Sequence, residues 1–292
     1  MEEAFWIMSK AIAVFHGNFG RATLYYLDRT IIPHAHRESH LIFHVGGSVR
    51  VFDAMGEEEV LRAFAREAPS RLARRLSGRR MPSHTGPYWH MRRSLRDAVR
   101  NDGEVMSIPK LRRKMRPTRI LLLIDISGSM KAQTQSTLRF AHALVQAAEQ
   151  IEVFTFGPRL TRITRALRLR NRAQALDTAS ILVADWDGGT RIGDALKAFL
   201  AVPRFAGFVC GAAVIILSDG LERGEPDAMI RAVARMSRLA WRIDWLTPLA
   251  ADPDFKPKTR ALQSILPVLS TIGDGNRTQS VCAQVLNMAE AA

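Results

Sequence analysis

RILLLIDISGSM, residues 119–130, joins an uninterrupted apolar run to an abrupt polar end. The apolar residues 120–124 are typical of a strand buried on both faces, as in a parallel sheet covered by helices. The polar end has the spacing Asp-x-Ser-x-Ser, at Asp125, Ser127 and Ser129. Open α/β sheets bind ligands beyond the carboxyl ends of their strands, so these three residues are predicted to form a site. Their oxygens are hard ligands, which suit Mg²⁺.

The rest of the chain after residue 119 alternates between strand and helix patterns. Strands are predicted at 151–157, 212–220 and 241–247, with 160–167 as a further candidate, and helices at 136–150, 172–183, from about 191, and at 226–239. Helices of this length between strands indicate βαβ units. The predicted fold class is α/β: a doubly wound, mainly parallel sheet flanked by helices, preceded by a small β-rich N-terminal segment.

Two further residues are predicted to join the site. The strand pattern at 212–220 ends, like the first, in an acid, Asp219, and a Gly-Gly loop presents Thr190. In a doubly wound sheet these loops open on the same edge. The candidate metal ligands are therefore Asp125, Ser127, Ser129, Thr190 and Asp219. Mg²⁺ keeps several waters in octahedral oxygen geometry, which leaves a position for a partner's carboxylate.

The order DISGSM, GGT, LSDG resembles the metal-ion-dependent adhesion site of von Willebrand factor A (VWA) domains. Four longer segments are similar to the CoxE-like family of VWA proteins: FTFGPRLTRITRAL (154–167), DWDGGTRIGDAL (185–196), ILSDGLERGEPDAM (216–229) and WLTPLAADPDF (245–255). This resemblance covers about residues 119–292. It implies the same five ligands, with Mg²⁺ or Mn²⁺ as the cofactor.

The resemblance also implies a function. CoxE-like proteins are associated with carbon monoxide dehydrogenase maturation and work beside MoxR-type AAA+ ATPases. We therefore expect a divalent-cation-dependent protein-interaction module, an accessory or maturation factor whose partner supplies an acidic residue to the metal. On this interpretation the chain is not an enzyme.

Positive charge is concentrated in one segment. Residues 71–119 hold 15 Lys and Arg against three acidic residues, within a chain whose net charge is +14. Such a segment suits nucleic acid or an acidic protein. Little aromatic interleaving makes nucleic acid the less favoured partner. The predicted domains are a β fragment at 1–53, a basic and partly helical arm at 54–118, and the VWA domain at 119–292.

The N-terminal segment carries a second candidate metal site. IIPHAHRESHLIFHVGG (31–47) resembles the first histidine motif of a cupin, with His34, His36 and Glu38, and His40 nearby. Imidazoles at this spacing could bind Zn, Fe or Mn. A complete barrel needs about eight strands, more than this segment can supply. We therefore expect a cupin-like fragment rather than a whole cupin.

Two other functions fit parts of the sequence. An acid at the end of an apolar strand also occurs in metal-dependent phosphoryl transfer of the haloacid dehalogenase type. Ser127 stands where that chemistry needs a second Asp, and there is neither a nucleophile elbow nor a phosphate-binding loop with Lys-Ser/Thr. Alternatively, the cupin-like segment could be the sensor of a DNA-binding regulator that contacts DNA through its basic arm.

Composition bears on location. No apolar run approaches the ~20 residues needed to cross a bilayer, and the first residues lack the features of a secretory signal. Cys210 and Cys282 are far apart in apolar surroundings, which predicts two buried thiols rather than a disulfide. The expected location is the cytoplasm.

Overall fold

The computed structural model describes residues 56–104, 107–183, 191–252 and 254–288. All of them belong to one of the two compact units into which the chain divides, Leu41–Ala292. The cupin-like segment therefore lies outside the described residues. Among the described helices, none is long and apolar enough to cross a membrane.

The first part of the described chain is helix α1 followed by a small antiparallel sheet. The elements are α1 (Glu57–Arg71), β1 (Arg74–Ser83), β2 (Tyr88–Trp89), α2 (Met91–Arg100) and β3 (Lys110–Pro117). Strand β3 lies in the middle and pairs antiparallel with both β1 and β2. Three glutamates in the first turn of α1 and Arg71 in its last turn favour this helix, because they complement its dipole.

A six-stranded sheet forms the centre of the fold. Its strands are β4 (Ile120–Asp125), β5 (Ile151–Phe156), β6 (Leu160–Arg162), β7 (Ala213–Leu217), β8 (Arg242–Thr247) and β9 (Thr271–Asp274). They lie in the order β6-β5-β4-β7-β8-β9, and every neighbouring pair is parallel except β5 and β6. The predicted doubly wound, mainly parallel sheet is confirmed.

Helices cover both faces of this sheet. They are α3 (Lys131–Ala147), α4 (Thr164–Leu167), α5 (Arg172–Leu182), α6 (Ile192–Ala201), α7 (Pro203–Val209), α8 (Pro226–Leu239), α9 (Arg260–Ile265) and α10 (Thr278–Asn287). Short 3₁₀ turns lie at Gly128–Met130, Pro248–Ala251 and Leu266–Val268. Helix α8 has the bounds that the sequence predicts, and it begins with a proline, which is preorganised for the first helical position.

Strand β4 separates two apolar cores. Ile120, Leu122 and Ile124 belong to one cluster, which includes residues of α1, α3 and α10. Leu121 and Leu123 point to the other face, against a cluster that includes residues of α6 and α8. All five side chains are buried. Alternate residues of one strand thus serve both layers, which explains why the sequence shows an unbroken apolar run rather than an alternating pattern.

Helix α1 is part of the main core, although the sequence suggested that it belongs to a basic arm at 54–118. It packs against α3 and α10. Val60 and Phe64 are fully buried, and the Phe64 ring lies 5.5 Å from that of Phe140 in α3. The proposed division at 1–53, 54–118 and 119–292 stays a prediction, but this helix contributes to the same core as the six-stranded sheet.

Other local expectations differ from the structure. The candidate strand at 160–167 is a strand only at residues 160–162, and helix α4 begins at Thr164. Cys282 is buried, and this burial raises the pKa of its thiol, whereas Cys210 is exposed, contrary to the expectation of two buried thiols. Cys210 directly follows the last residue of α7, in the turn before β7, rather than on a helix face that packs against the sheet.

Candidate metal centre

The sheet order places two acids at adjacent strand ends. Asp125 is the last residue of β4, and Asp219 follows the end of neighbouring β7 by two residues. The chain leaves β4 towards β5 on one side and leaves β7 towards β8 on the other. A crevice is expected where connections diverge in this way beyond parallel strands. The two carboxyl groups lie at this crevice.

Asp125 is buried, and both of its carboxylate oxygens accept hydrogen bonds. Only 1 % of the residue is exposed. Its Oδ1 accepts a hydrogen bond from the Ser127 N–H at 2.9 Å, and its Oδ2 accepts one from the Ser218 hydroxyl at 2.6 Å. Burial raises the pKa of the Asp125 carboxyl above its ordinary value; the Ser218 and Ser127 hydrogen bonds oppose this increase, and the charge of Asp219 adds to it.

The two serines of the Asp-x-Ser-x-Ser motif connect the two strand ends. The Ser127 and Ser129 hydroxyl oxygens are 3.0 Å apart, and the Ser129 hydroxyl donates to Asp219 Oδ2 at 2.5 Å. The Leu221 N–H donates to the other oxygen of Asp219 at 3.0 Å. Ser127 and Asp219 are buried whereas Ser129 is exposed. The oxygen cluster is therefore open to solvent on the Ser129 side.

Ser218 is a site residue that the sequence argument did not include. Besides its bond to Asp125, its hydroxyl accepts the Gly220 N–H at 3.0 Å, and its carbonyl accepts the Trp245 Nε1–H at 3.0 Å. Gly220 has a φ of 74°, which favours glycine and allows this tight turn. The hydroxyl directly before Asp219 was visible in the sequence, but its contact with Asp125 depends on the pairing of β4 with β7.

Glu222 links the loop after β7 to helix α6. One of its carboxylate oxygens accepts the Gly193 N–H and the other accepts the Gly224 N–H, both at 2.6 Å. Gly193 lies in the first turn of α6, where free N–H groups and the helix dipole favour a carboxylate. Nothing in the sequence pattern singles out this residue. The bond to the Gly193 N–H holds the first turn of α6.

The structure brings together four of the five predicted ligands: Asp125, Ser127, Ser129 and Asp219. Thr190 lies outside the described residues, and its role stays a prediction. The second candidate site, formed by His34, His36, Glu38 and His40, is also outside them. Within the described parts of the chain, no group of three or more His, Cys, Asp or Glu residues could hold a metal. A metal at the crevice would therefore depend on hydroxyl ligands.

Comparison with protein families settles the relationship. The family model described as a VWA domain containing CoxE-like protein matches residues 60–281. The chain belongs to this CoxE-like VWA family. The match begins within α1, which agrees with the packing of that helix in the main core. No curated protein matches the chain.

Several solved structures are similar to this chain in fold, at low sequence identity. A von Willebrand factor type A protein from Catenulispora acidiphila is 17% identical (TM-score 0.44; 61% of this chain and 43% of that chain are covered). A mussel byssus matrix protein with a zinc-occupied MIDAS motif is 14% identical, with a TM-score of 0.38; the match covers 59% of this chain and 46% of that chain. An aerotolerance-related membrane protein from Bacteroides fragilis is 19% identical, with a TM-score of 0.37; the match covers 59% of this chain and 98% of that chain. The chain thus covers less than half of the first two.

Proposed function

We propose that the CoxE-like VWA domain binds a protein partner through a divalent cation, Mg²⁺ or Mn²⁺, at the crevice between β4 and β7. The observation that carries the proposal is the continuous line of oxygens formed by Ser127, Ser129 and Asp219, with Asp125 bonded to the backbone N–H of Ser127. Carboxylate and hydroxyl oxygens are the donors that these cations prefer. Thr190, which comes just before α6 in the chain, is proposed as a further ligand.

The spacing of the oxygens fits this proposal. Ligands of octahedral Mg²⁺ lie about 2.1 Å from the ion, so neighbouring ligands are about 3.0 Å apart. The Ser127 and Ser129 hydroxyl oxygens have this separation, 3.0 Å. Asp125 and Asp219 are both buried at this crevice and repel each other, and a bound cation would offset that repulsion.

The proposed role of the cation is to hold a partner. Because the oxygen cluster opens to solvent beside Ser129, a carboxylate of the partner can reach the remaining coordination positions. Leu221 and Leu249 are partly exposed on loops after β7 and β8, at this same edge, and provide apolar contact area beside the ion. The family suggests the partner: a MoxR-type AAA+ ATPase, with the chain as an accessory or maturation factor in the cytoplasm.

Binding is proposed rather than catalysis. Among the described residues, the Ser127 and Ser129 hydroxyls have no histidine partner of the kind that activates a serine nucleophile: they bond to each other, and Ser129 donates to the Asp219 carboxylate. His142 lies in α3, where its Nε2–H donates to the Leu169 carbonyl at 3.0 Å.

A cupin-like N-terminal fragment with its own metal remains a proposal based on residues 31–47 alone.

The partner proposal is tested with the full chain and a purified MoxR-type ATPase from the same genome. We expect a complex on size-exclusion chromatography in Mg²⁺ that EDTA dissociates. Asp219→Asn should prevent it at equal protein concentrations, because the neutral amide is a poorer ligand for a hard cation. A complex that forms equally well in EDTA would contradict the proposal.

A further inference from the structure

The basic segment forms a projecting ribbon with almost no core. Strands β1 and β3 pair along most of their lengths, from Arg74 with Pro117 to Ser83 with Lys110. Between residues 74 and 117, Gly86 and Ser94 are the only buried residues among those that the structure describes. Two long strands with only the two-residue β2 beside them, and with no buried apolar face, have little stability in water by themselves, so this ribbon depends on its attachment to the rest of the domain.

The base of the ribbon is attached to the amino edge of the six-stranded sheet. The Arg75 guanidinium lies 4.9 Å from the ring centre of Trp241 and donates to the Gly211 carbonyl at 3.3 Å. Arg74 forms an ion pair with Glu149 at 3.3 Å. These partners precede β8, β7 and β5, whereas the oxygen cluster follows β4 and β7. Strand β4, six residues or about 20 Å long, separates the two ends.

A concave surface lies on the ribbon. Its volume is about 590 Å³, and its lining includes Leu76, Met81, Tyr88 and Met115 together with Arg112 and Lys114. The Arg80 guanidinium lies 4.1 Å from the centre of the Tyr88 ring and adds another positive charge beside it. Apolar side chains bordered by cations are suited to a ligand that is both apolar and anionic.

Helix α2 also presents exposed apolar side chains beside positive charges. Met91, Leu95 and Val99 are spaced four residues apart and therefore form one stripe along the helix. Their exposed fractions are 59%, 63% and 83%, which leaves the stripe uncovered. Arginines flank it at positions 92, 93, 96 and 100. An exposed apolar stripe rimmed by charge is typical of an interaction site.

The charge and the apolar surface together select the kind of partner. Residues 74–117 carry 13 Lys and Arg and three acidic residues, so a second copy of this surface would be repelled. Nucleic acid phosphates need the cations but not the concave apolar lining or the helix stripe. A protein segment that combines carboxylates with apolar side chains would use all three features.

We propose that the ribbon and α2 form a second docking surface, for an acidic protein segment with apolar side chains. Carboxylates of that segment pair with the surface arginines, while its apolar side chains enter the pocket between Leu76, Met81 and Met115. Because this surface lies at the amino edge of the sheet, it is distinct from the proposed cation site and needs no metal. The domain can then connect two proteins, one at each end of its sheet.

The test measures binding of fluorescent probes to the full chain by anisotropy. The probes are a short Glu-Glu-Leu repeat peptide, a Glu-Glu-Ser peptide of equal length and charge, a duplex DNA, and vesicles of phosphatidylserine and phosphatidylcholine. We expect the Leu peptide to bind at least about tenfold more tightly than the Ser peptide, in EDTA as in Mg²⁺. Met81→Ser with Met115→Ser should abolish that preference and leave the affinity for the Ser peptide unchanged.

The controls separate the possible outcomes. Arg112→Gln with Lys114→Gln should weaken binding of both peptides, because it removes charge but not the apolar lining. Thermal melts identify any variant that fails to fold. Equal affinity for the two peptides, tighter binding to DNA or vesicles than to the Leu peptide, or a preference that survives the methionine changes would each overturn the proposal. Loss of binding in EDTA would also overturn it and would assign the peptide to the cation site.

Discussion

Asp125→Asn is expected to abolish the stabilisation of the chain by Mg²⁺. A ligand at a hundredfold excess over its dissociation constant stabilises the folded state by about 2.7 kcal/mol. For a domain of this size that corresponds to an increase in Tm of about 5–10 °C. The asparagine keeps the shape of the side chain and an oxygen for the Ser127 N–H, but it removes the charge beneath the crevice. Thermal melts with Mg²⁺ and with EDTA measure the difference.

Asp244→Asn is the matched control. Asp244 is also a buried acid of the same sheet, but it accepts hydrogen bonds from Arg242 at 2.8 Å and from the Thr271 hydroxyl at 2.9 Å. Removing its charge should lower the Tm in both buffers, because Arg242 loses its ionic partner. The increase caused by Mg²⁺ should remain. An Asp125→Asn chain that keeps the full Mg²⁺ effect would exclude Asp125 from the site.

Phe64→Ala is expected to lower the free energy of unfolding by about 3–5 kcal/mol, the usual result of removing a buried phenylalanine. Phe64 is fully buried and lies 5.5 Å from the Phe140 ring, so the change leaves a cavity between α1 and α3. Urea unfolding at equilibrium measures the loss. The experiment determines whether α1 contributes to the stability of the VWA domain, as its packing indicates.

Leu95→Ala provides the comparison for this prediction. Leu95 is an apolar residue of helix α2, but 63% of it is exposed. The substitution should change the free energy of unfolding by no more than about 0.5 kcal/mol, as is usual for exposed positions. If Phe64→Ala were as mild as Leu95→Ala, α1 would be a loosely attached arm, as the basic composition of the surrounding segment suggested.

Much of the central sheet could be predicted because its residues follow simple burial patterns. The unbroken apolar run of β4 reflects two covered faces, and the amphipathic pattern of α8 gives its full length. The ribbon strands β1 and β3 lack such a signal. Both of their faces are mostly exposed, so apolar and polar residues need not alternate along them. Strand β9 is four residues long and includes a glycine, too short for a periodic pattern.

The candidate site shows the same division. Asp125, Ser127, Ser129 and Asp219 could be proposed from sequence because parallel strands place their carboxyl ends on one edge. The contacts that hold them could not. The bond from Ser218 to Asp125 and the bond from Trp245 to the Ser218 carbonyl both depend on the lateral order of β4, β7 and β8. That order results from tertiary packing of both faces and has no local sequence signal.

The most direct test of the account is a titration of the metal-free full chain with Mn²⁺, followed by the loss of the free-ion electron paramagnetic resonance signal. Wild-type protein and Asp219→Asn are compared, so any ion held by the N-terminal histidines cancels. We expect wild-type protein to bind one more Mn²⁺ per chain than the variant, and we expect Mg²⁺ to displace this ion. Identical binding by the two proteins would contradict the proposed cation site.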